Sequence, residues 1–220
     1  IKCTGYATDG RSILLEHAIP KPSRMHEVER FWNVAYKALE AWGVKPAYDK
    51  LPKRLNMKLA QRNEAGARNL ISKISLPEKF AILAPIAKGR HEGKEKYWKH
   101  FNELVAPLKE RGLTPVVFPA KDEIDAVKLA APDAIIYEPT SLGNFAALCS
   151  RASIVIANDS GVSHIASAVH APQITIVGVT DTDRTSPWSD LNMIVGKKGQ
   201  WPEVHEVISA IDQVLTKSKS

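Results

Sequence analysis

Ser153-Ile154-Val155-Ile156-Ala157, followed by Asn158-Asp159-Ser160-Gly161-Val162-Ser163-His164, is the stretch whose reading decides the fold. Its first part is short, apolar and β-branched, the composition of a strand buried on both faces. The second part opens with Asn, Asp, Ser and Gly, which favour turns and helix starts because they satisfy free backbone N–H groups or carry no Cβ. It then runs into the small-residue segment Val162 to Val169, so the chain reads strand, turn, helix. A strand leading directly into a helix is the repeating unit of a parallel sheet, whose neighbouring strands need a crossover.

Outward from this unit the same alternation begins at Phe80. Phe80 to Ala84, Pro115 to Phe118, Ala134 to Tyr137, Ser153 to Ala157, Gln173 to Val177 and Met193 to Val195 predict six strands. Glu95 to Arg111, Glu123 to Ala130, Leu142 to Ser150, Val162 to Val169 and Glu203 to Leu215 predict the helices that link or follow them. In the first of these, Trp98, Phe101, Leu104 and Leu108 share one face and Gly112 is a stop signal, while Pro107 predicts a kink or an early end. The expected fold class is α/β, a Rossmann-like parallel sheet with helices on both faces.

The residues before this alternation read differently. Ser12 to Leu15 predicts a strand, and Met25 to Trp42 predicts a helix in which Phe31, Ala35, Leu39 and Trp42 recur at helical spacing before Gly43. Lys45 to Leu55, with Pro46 and Pro52, predicts a linker, and Ala60 to Ile74 a second helix. These are too few strands for an independent α/β domain. The expected organisation is an incomplete N-terminal portion over 1–75 and a nucleotide-binding domain over 76–220. The first residue is Ile1 rather than methionine, which is expected of a fragment or a processed chain.

Composition bounds the function. The chain has 220 residues, 44% hydrophobic and 25% charged, the balance of a soluble globular protein. No apolar run approaches the ~20 residues that span a bilayer, and the start lacks a signal-peptide pattern, so the expected compartment is the cytosol. Cys3 and Cys149 stand apart, outside any CxxC pattern, and the histidines are dispersed, so neither a disulfide framework nor a metal site is expected. The net charge of +6 admits nucleic acid, anionic surfaces or small phosphorylated molecules as partners. Its basic residues are interleaved with acids and accompany no nucleic-acid recognition motif, so nucleic acid is not the expected partner.

The chemistry concentrates at the turn after Ala157. A helix that starts at the carboxyl end of a parallel strand presents free backbone N–H groups and the positive end of its dipole, which together attract an anion. Gly161 would let a phosphate approach the backbone closely. Ser160 can cap the helix or donate its hydroxyl to a phosphate, and His164 stands one turn in. From these residues alone two readings stand, a structural helix cap and an anion site.

A longer run favours the second. NDSGVSHIASAVHAPQITIVGVTDTDRTSPW, Asn158 to Trp188, resembles the donor-site signature of the ADP-heptose:lipopolysaccharide heptosyltransferase family: an (N)D(S/T)GxxH turn and helix, a proline, a hydrophobic strand, and a glycine before a Thr-Asp loop. The parts appear in order as Asp159 to His164, Pro172, Ile174 to Val177, Gly178, and Thr180-Asp181. The resemblance covers about residues 80 to 215. Asp183 departs from it, standing where proline is more usual, which puts the shape of that loop in question.

The resemblance implies a GT-B fold, two Rossmann-like domains of which this chain carries the C-terminal, donor-binding one. It implies transfer of heptose from ADP-heptose to a lipopolysaccharide inner-core acceptor with inversion. Donor contacts are expected from Asp159, Ser160, Gly161, His164, Thr180 and Asp181. Lys96, in Lys96-Tyr97-Trp98, is expected to neutralise a donor phosphate or the leaving diphosphate. Glu123, with Asp122 nearly as good, is expected at the donor ribose, and Thr140, in Glu138-Pro139-Thr140-Ser141-Leu142, beside the adenine. No cofactor is called for. Family members carry an acidic base on a glycine-rich N-terminal loop; Asp9-Gly10 reads instead as an ordinary turn, so the catalytic residue stays unassigned. The expected partners are the nucleotide sugar and the lipopolysaccharide core, with peripheral contact at the cytoplasmic face of the inner membrane. Two rivals stay open: a different nucleotide-sugar donor, and a non-catalytic nucleotide-binding module.

Overall fold

The computed structural model describes residues 3–217, so the ends of the two expected segments lie outside the described residues. The chain forms two compact units, one of Ile1–Pro52 with Asp183–Thr185, the other of Lys53–Thr182 with Ser186–Ser220.

In the smaller unit, β1 (Thr4–Tyr6) and β2 (His17–Ile19) pair in parallel. Between them Ser12 to Leu15 is not the expected strand: Arg11–Leu14 is a turn of 3-10 helix. Asp9 and Gly10 both take left-handed φ, 54° and 71°, which coils the backbone just before the segment would have to extend. Helix α1 (Glu27–Ala41) falls where its periodicity predicts. His26 caps it, its Nδ1 accepting from Val28 N while Glu29 accepts from His26 N, a capping box with imidazole in place of a hydroxyl. The buried face is rotated from the expected one. Phe31 and Ala35 are exposed and Arg30 and Ala38 are buried. Tyr6 donates its hydroxyl to the Arg30 carbonyl at 2.7 Å and accepts from Asn33, and the Arg30 guanidinium pairs with Glu27. A count of apolar letters overlooks an arginine that buries its stem.

The larger unit begins at Lys53, so the last three residues of the expected linker, Lys53 to Leu55, are stitched to it together with the following residues. Met57 N donates to Ala168 O, the His170 ring meets Leu55 O, and Arg54 pairs with Asp190. Helix α2 (Gln61–Lys73) then packs on the sheet's helical layer. The division between units therefore falls at Pro52, earlier than the expected 75, because α2 buries Ala67, Leu70 and Ile71 in that layer.

The sheet strands are β3 (Phe80–Ala84), β6 (Thr114–Val117), β7 (Ile135–Ile136), β8 (Ile154–Asn158), β9 (Gln173–Val177) and β10 (Asn192–Gly196), with β4 (Arg90–His91) and β5 (Lys94–Glu95) forming a separate hairpin. All six sheet strands are parallel, in the order β7-β6-β3-β8-β9-β10. Central β3, β8 and β9 are buried throughout, as two covered faces require. Helices α3 (Val105–Glu110), α4 (Ile124–Ala130) and, after the short α7 (Thr182–Thr185), α8 (Val204–Lys217) supply Leu108, Val127 and Ile211 to the core on one face. With α2, α5 (Leu142–Cys149) and α6 (Gly161–Ala168) cover the other, around Phe145, Leu148 and Ala166. The expected α/β architecture is the observed one. Among the described residues no helix is long and apolar enough to cross a membrane.

One predicted helix is shorter than expected. Glu95 belongs to the β4–β5 hairpin, and helix starts only with a 3-10 turn at Phe101 before α3. Trp98, Phe101, Leu104 and Leu108 are all buried as predicted, but Trp98 reaches the core from extended chain. Pro107 is the third residue of α3, in the first turn where its missing N–H has no partner to lose. Gly112 ends the segment at φ 72°, as a left-handed stop.

Candidate functional site

The strand order places a topological switch point between β3 and β8: successive strands run outward from β3 through β6 to β7, then outward on the other side from β8. Connections leave these two strands toward opposite faces, opening a crevice at their carboxyl ends, the place where open α/β sheets bind ligands. A cleft of about 580 Å³ lies there, large enough for a nucleotide-sized ligand.

Its floor is the start of α6. Val162 and Gly161 are its first residues, so their N–H groups have no acceptor within the helix. A Cβ placed on Gly161 would meet nothing within 4 Å, so open space lies before this backbone. Ser160 does not cap the helix. The Ser163 hydroxyl instead reaches back to the Ser160 backbone, accepting from Ser160 N at 3.2 Å and donating to Ser160 O at 2.7 Å. The Ser160 Oγ is left buried without a protein partner, an arrangement that costs free energy unless something else hydrogen-bonds there.

Lys96 lines the cleft from the segment after β5, Glu123 from the end of the loop after β6, and Thr140 from the loop after β7. The structure separates the two candidate acids. Lys88 Nζ lies 2.6 Å from Asp122 Oδ2 and 3.4 Å from Glu123 Oε1. Hydrogen bonding to Lys88 holds the exposed Asp122 carboxyl below its ordinary value, and hydrogen bonding to Asp122 raises the Lys88 ammonium. Glu123 is less exposed and lines the cleft, one oxygen accepting from Ala120 N at 3.0 Å. Thr140 Oγ1 is 3.5 Å from Asn144 Nδ2. The lining is largely apolar and includes Phe118, Pro119, Leu142, Phe145 and Ile165. Such walls suit a flat heteroaromatic ring, with the cation and the helix start reserved for anionic groups.

Lys96, Glu123, Thr140, Ser160 and Gly161 thus share one cleft, whereas Asp159, His164, Thr180 and Asp181 are not part of its lining. Asp159 is buried, its carboxylate 3.9 Å from His164 Nε2. Thr180 is buried with its Oγ1 unpartnered, and Asp181 is exposed on the loop after β9. Gly178 is needed for packing, since any Cβ there would collide with the Trp201 ring. Lys88 also lines the cleft, a residue to which sequence reading attached no role, whereas Asn158, the first residue of the Asn158 to His164 turn, is buried outside the lining.

The Salmonella typhimurium lipopolysaccharide heptosyltransferase 2 is 29% identical over 199 residues, 84% of this chain and 56% of that protein. Among solved structures, Escherichia coli ADP-heptose lipopolysaccharide heptosyltransferase II matches with a TM-score of 0.74 at 20% identity, over 100% of this chain and 71% of that one. A family 9 glycosyltransferase from Veillonella parvula matches with a TM-score of 0.79 at 18% identity, over 98% and 68%. The chain spans about half the length of the curated Salmonella typhimurium and E. coli heptosyltransferases it matches in sequence. The family model of glycosyltransferase family 9 (heptosyltransferase) matches residues 1–211. This chain belongs to glycosyltransferase family 9, the heptosyltransferases.

Proposed function

We propose that the chain is the donor-binding part of an inverting heptosyltransferase that takes ADP-heptose and serves a lipopolysaccharide inner-core acceptor. The observation that carries this reading is the unpartnered, buried Ser160 hydroxyl at the open start of α6, in one cleft with Lys96. The diphosphate occupies the α6 start, accepting from Gly161 and Val162 N–H and from Ser160. Lys96 balances its charge, Glu123 accepts from the ribose hydroxyls, and the adenine lies between the apolar walls near Thr140. Asp159 holds His164 at the helix rim, and Thr180 and Asp181 meet the sugar end of the donor.

Chemically, the acceptor hydroxyl oxygen forms a bond to the anomeric carbon as the bond from that carbon to the β-phosphate oxygen breaks. The electron pair leaves with ADP, and the acceptor proton goes to a base that is not assigned to a residue of this chain. Groups that bind the diphosphate more strongly as its charge grows lower the barrier. The relatives' names supply the donor and acceptor classes. The setting is the cytoplasmic face of the inner membrane, approached peripherally.

Calorimetric titration of the chain with ADP, ADP-heptose, UDP and UDP-glucose tests this. The expected order is ADP-heptose and ADP above the uridine ligands, with Lys96→Met costing about ten-fold in ADP affinity, the scale of one charge-assisted contact. Preference for UDP would transfer the reading to another donor. Absence of binding by ADP and ADP-heptose alike would overturn it.

A further inference from the structure

The ladder between β3 and β8 ends at the pair Ala84↔Ala157. One residue further on, the Asn158 side chain takes over the connection. Its Nδ2 donates to the carbonyl oxygens of Ala84 at 3.3 Å and Pro85 at 2.9 Å, and its Oδ1 accepts from the backbone N–H of Trp98 at 2.8 Å. Asn158 is 0% exposed, so these bonds meet no competition from water, and removing them strands buried backbone groups. The side chain's chemistry fits this task. An amide offers two donors and an acceptor, whereas the isosteric aspartate would set a carboxylate oxygen against two carbonyls.

The same residue governs both halves of the anion site. Downstream, β8 passes through Asn158 into α6, whose first residue is Gly161. Upstream, the bond to Trp98 N fixes the segment carrying Lys96, two residues away. Trp98 is also held through its ring, the indole N–H donating to Pro202 O at 2.9 Å and the ring packing edge-on against Phe101. On the other side of Lys96 the β4–β5 hairpin is registered by Arg90↔Glu95 and His91↔Lys94. Lys96 is therefore strung between two anchors. Its long side chain is flexible, and the protein controls the ammonium mainly by fixing the backbone from which it extends.

We infer that Asn158 is a positioning residue for the donor diphosphate: it touches no ligand, and by tying Trp98 to the strand that becomes α6 it sets Lys96 against that helix start. This rests on the donor reading above. The test is a double-mutant cycle on ADP affinity, with the unfolding midpoint of each variant recorded alongside. Lys96→Met and Asn158→Ala each lower affinity about ten-fold, and the double variant loses little more than either alone, because coupled residues are not additive. Asn158→Ala combined with Thr140→Val, which lines the cleft from the loop after β7 and shares no bond with Asn158, loses the product of the single effects. Asn158→Ser, which keeps a donor and an acceptor, takes the alanine variant's place in the cycle if that variant does not fold. A cycle in which Asn158 and Lys96 effects multiply in full, or Asn158 variants that bind ADP like the unaltered chain, would overturn the inference and leave the donor reading standing. An unaltered chain that does not bind ADP overturns both.

Discussion

Lys88 Nζ sits 2.6 Å from Asp122 Oδ2 and joins the loop after β3 to the loop after β6 at the rim of the cleft. The same type of bond recurs where Arg111 meets Asp212 and Arg54 meets Asp190, and in each the aspartate is held below its ordinary value by hydrogen bonding to its cation. A carboxyl depressed in the folded state adds stability that is complete above its unfolded value and is lost as pH falls through its folded value. The unfolding midpoint is therefore expected to decline as pH drops below about 4, the ordinary aspartate range. Asp212→Asn and Asp190→Asn together should lower the pH 6 to 8 plateau slightly and make the decline shallower between pH 4 and 2, so that the two curves converge in acid. An unchanged acid limb would show these pairs to be idle. All three are exposed, so the effect is a change of slope rather than collapse.

At the start of α6, stability and binding are expected to part company. Ser160→Ala removes a buried hydroxyl that has no protein partner, so the unfolding midpoint should stay level or rise slightly. ADP affinity should fall by about ten-fold, one hydrogen bond to a charged group. Gly161→Ala places a methyl in open space and should likewise fold normally while obstructing the phosphate. A matched loss of stability and affinity in both variants would reduce this turn to a helix cap. Calorimetry of folding and of ADP binding on the same samples decides.

Where α2 crosses α5 the reverse is expected. A Cβ on Gly66 would stand 2.5 Å from Asn144 Oδ1, and one on Gly143 would collide with the Asn63 side chain. Gly66→Ala should cost about 1–3 kcal/mol of stability, the usual scale of overpacking, and ADP affinity measured well below the unfolding midpoint should not change. Denaturant unfolding gives the first quantity. A variant as stable as the parent would mean that the two helices do not approach this closely.

The two thiols should differ sharply. Cys149 is fully buried on α5 and burial pushes its thiol well up, whereas Cys3 is exposed. Since the thiolate is the reactive form, an aromatic disulfide reagent at pH 8 should titrate one thiol in the native chain and a second only in denaturant. Prompt reaction of both would contradict the packing of α5.

Much of the sheet was legible from sequence. Phe80 to Ala84 and Gln173 to Val177 are strands to the residue, and the other four runs sit within a residue of observed strands at each end, because a strand covered on both faces must be a short apolar run between turns. The switch-point turn was legible for the same local reason. Less was readable where one long-range bond overrode a periodic pattern. Trp98 has helical spacing with Phe101, Leu104 and Leu108, yet its N–H belongs to Asn158, 60 residues away. Arg30 is buried on the face of α1 that an apolar count assigns to solvent.

The sequence by itself determined the class of fold, the six strands and their helices, and the turn from Asn158 to His164 with its free helix start, because burial and capping are decided within a few residues of each position. Tertiary structure alone decided which acid lines the cleft, Glu123 rather than the more exposed Asp122, that α2 packs with the sheet, and that the Ser160 hydroxyl at the start of α6 is left without a protein partner. It alone brought Ala84, Pro85 and Trp98 to Asn158. Those outcomes depend on which buried donors and acceptors meet across the sheet, and a hydrogen bond between residues far apart in the chain leaves no periodic mark in either segment.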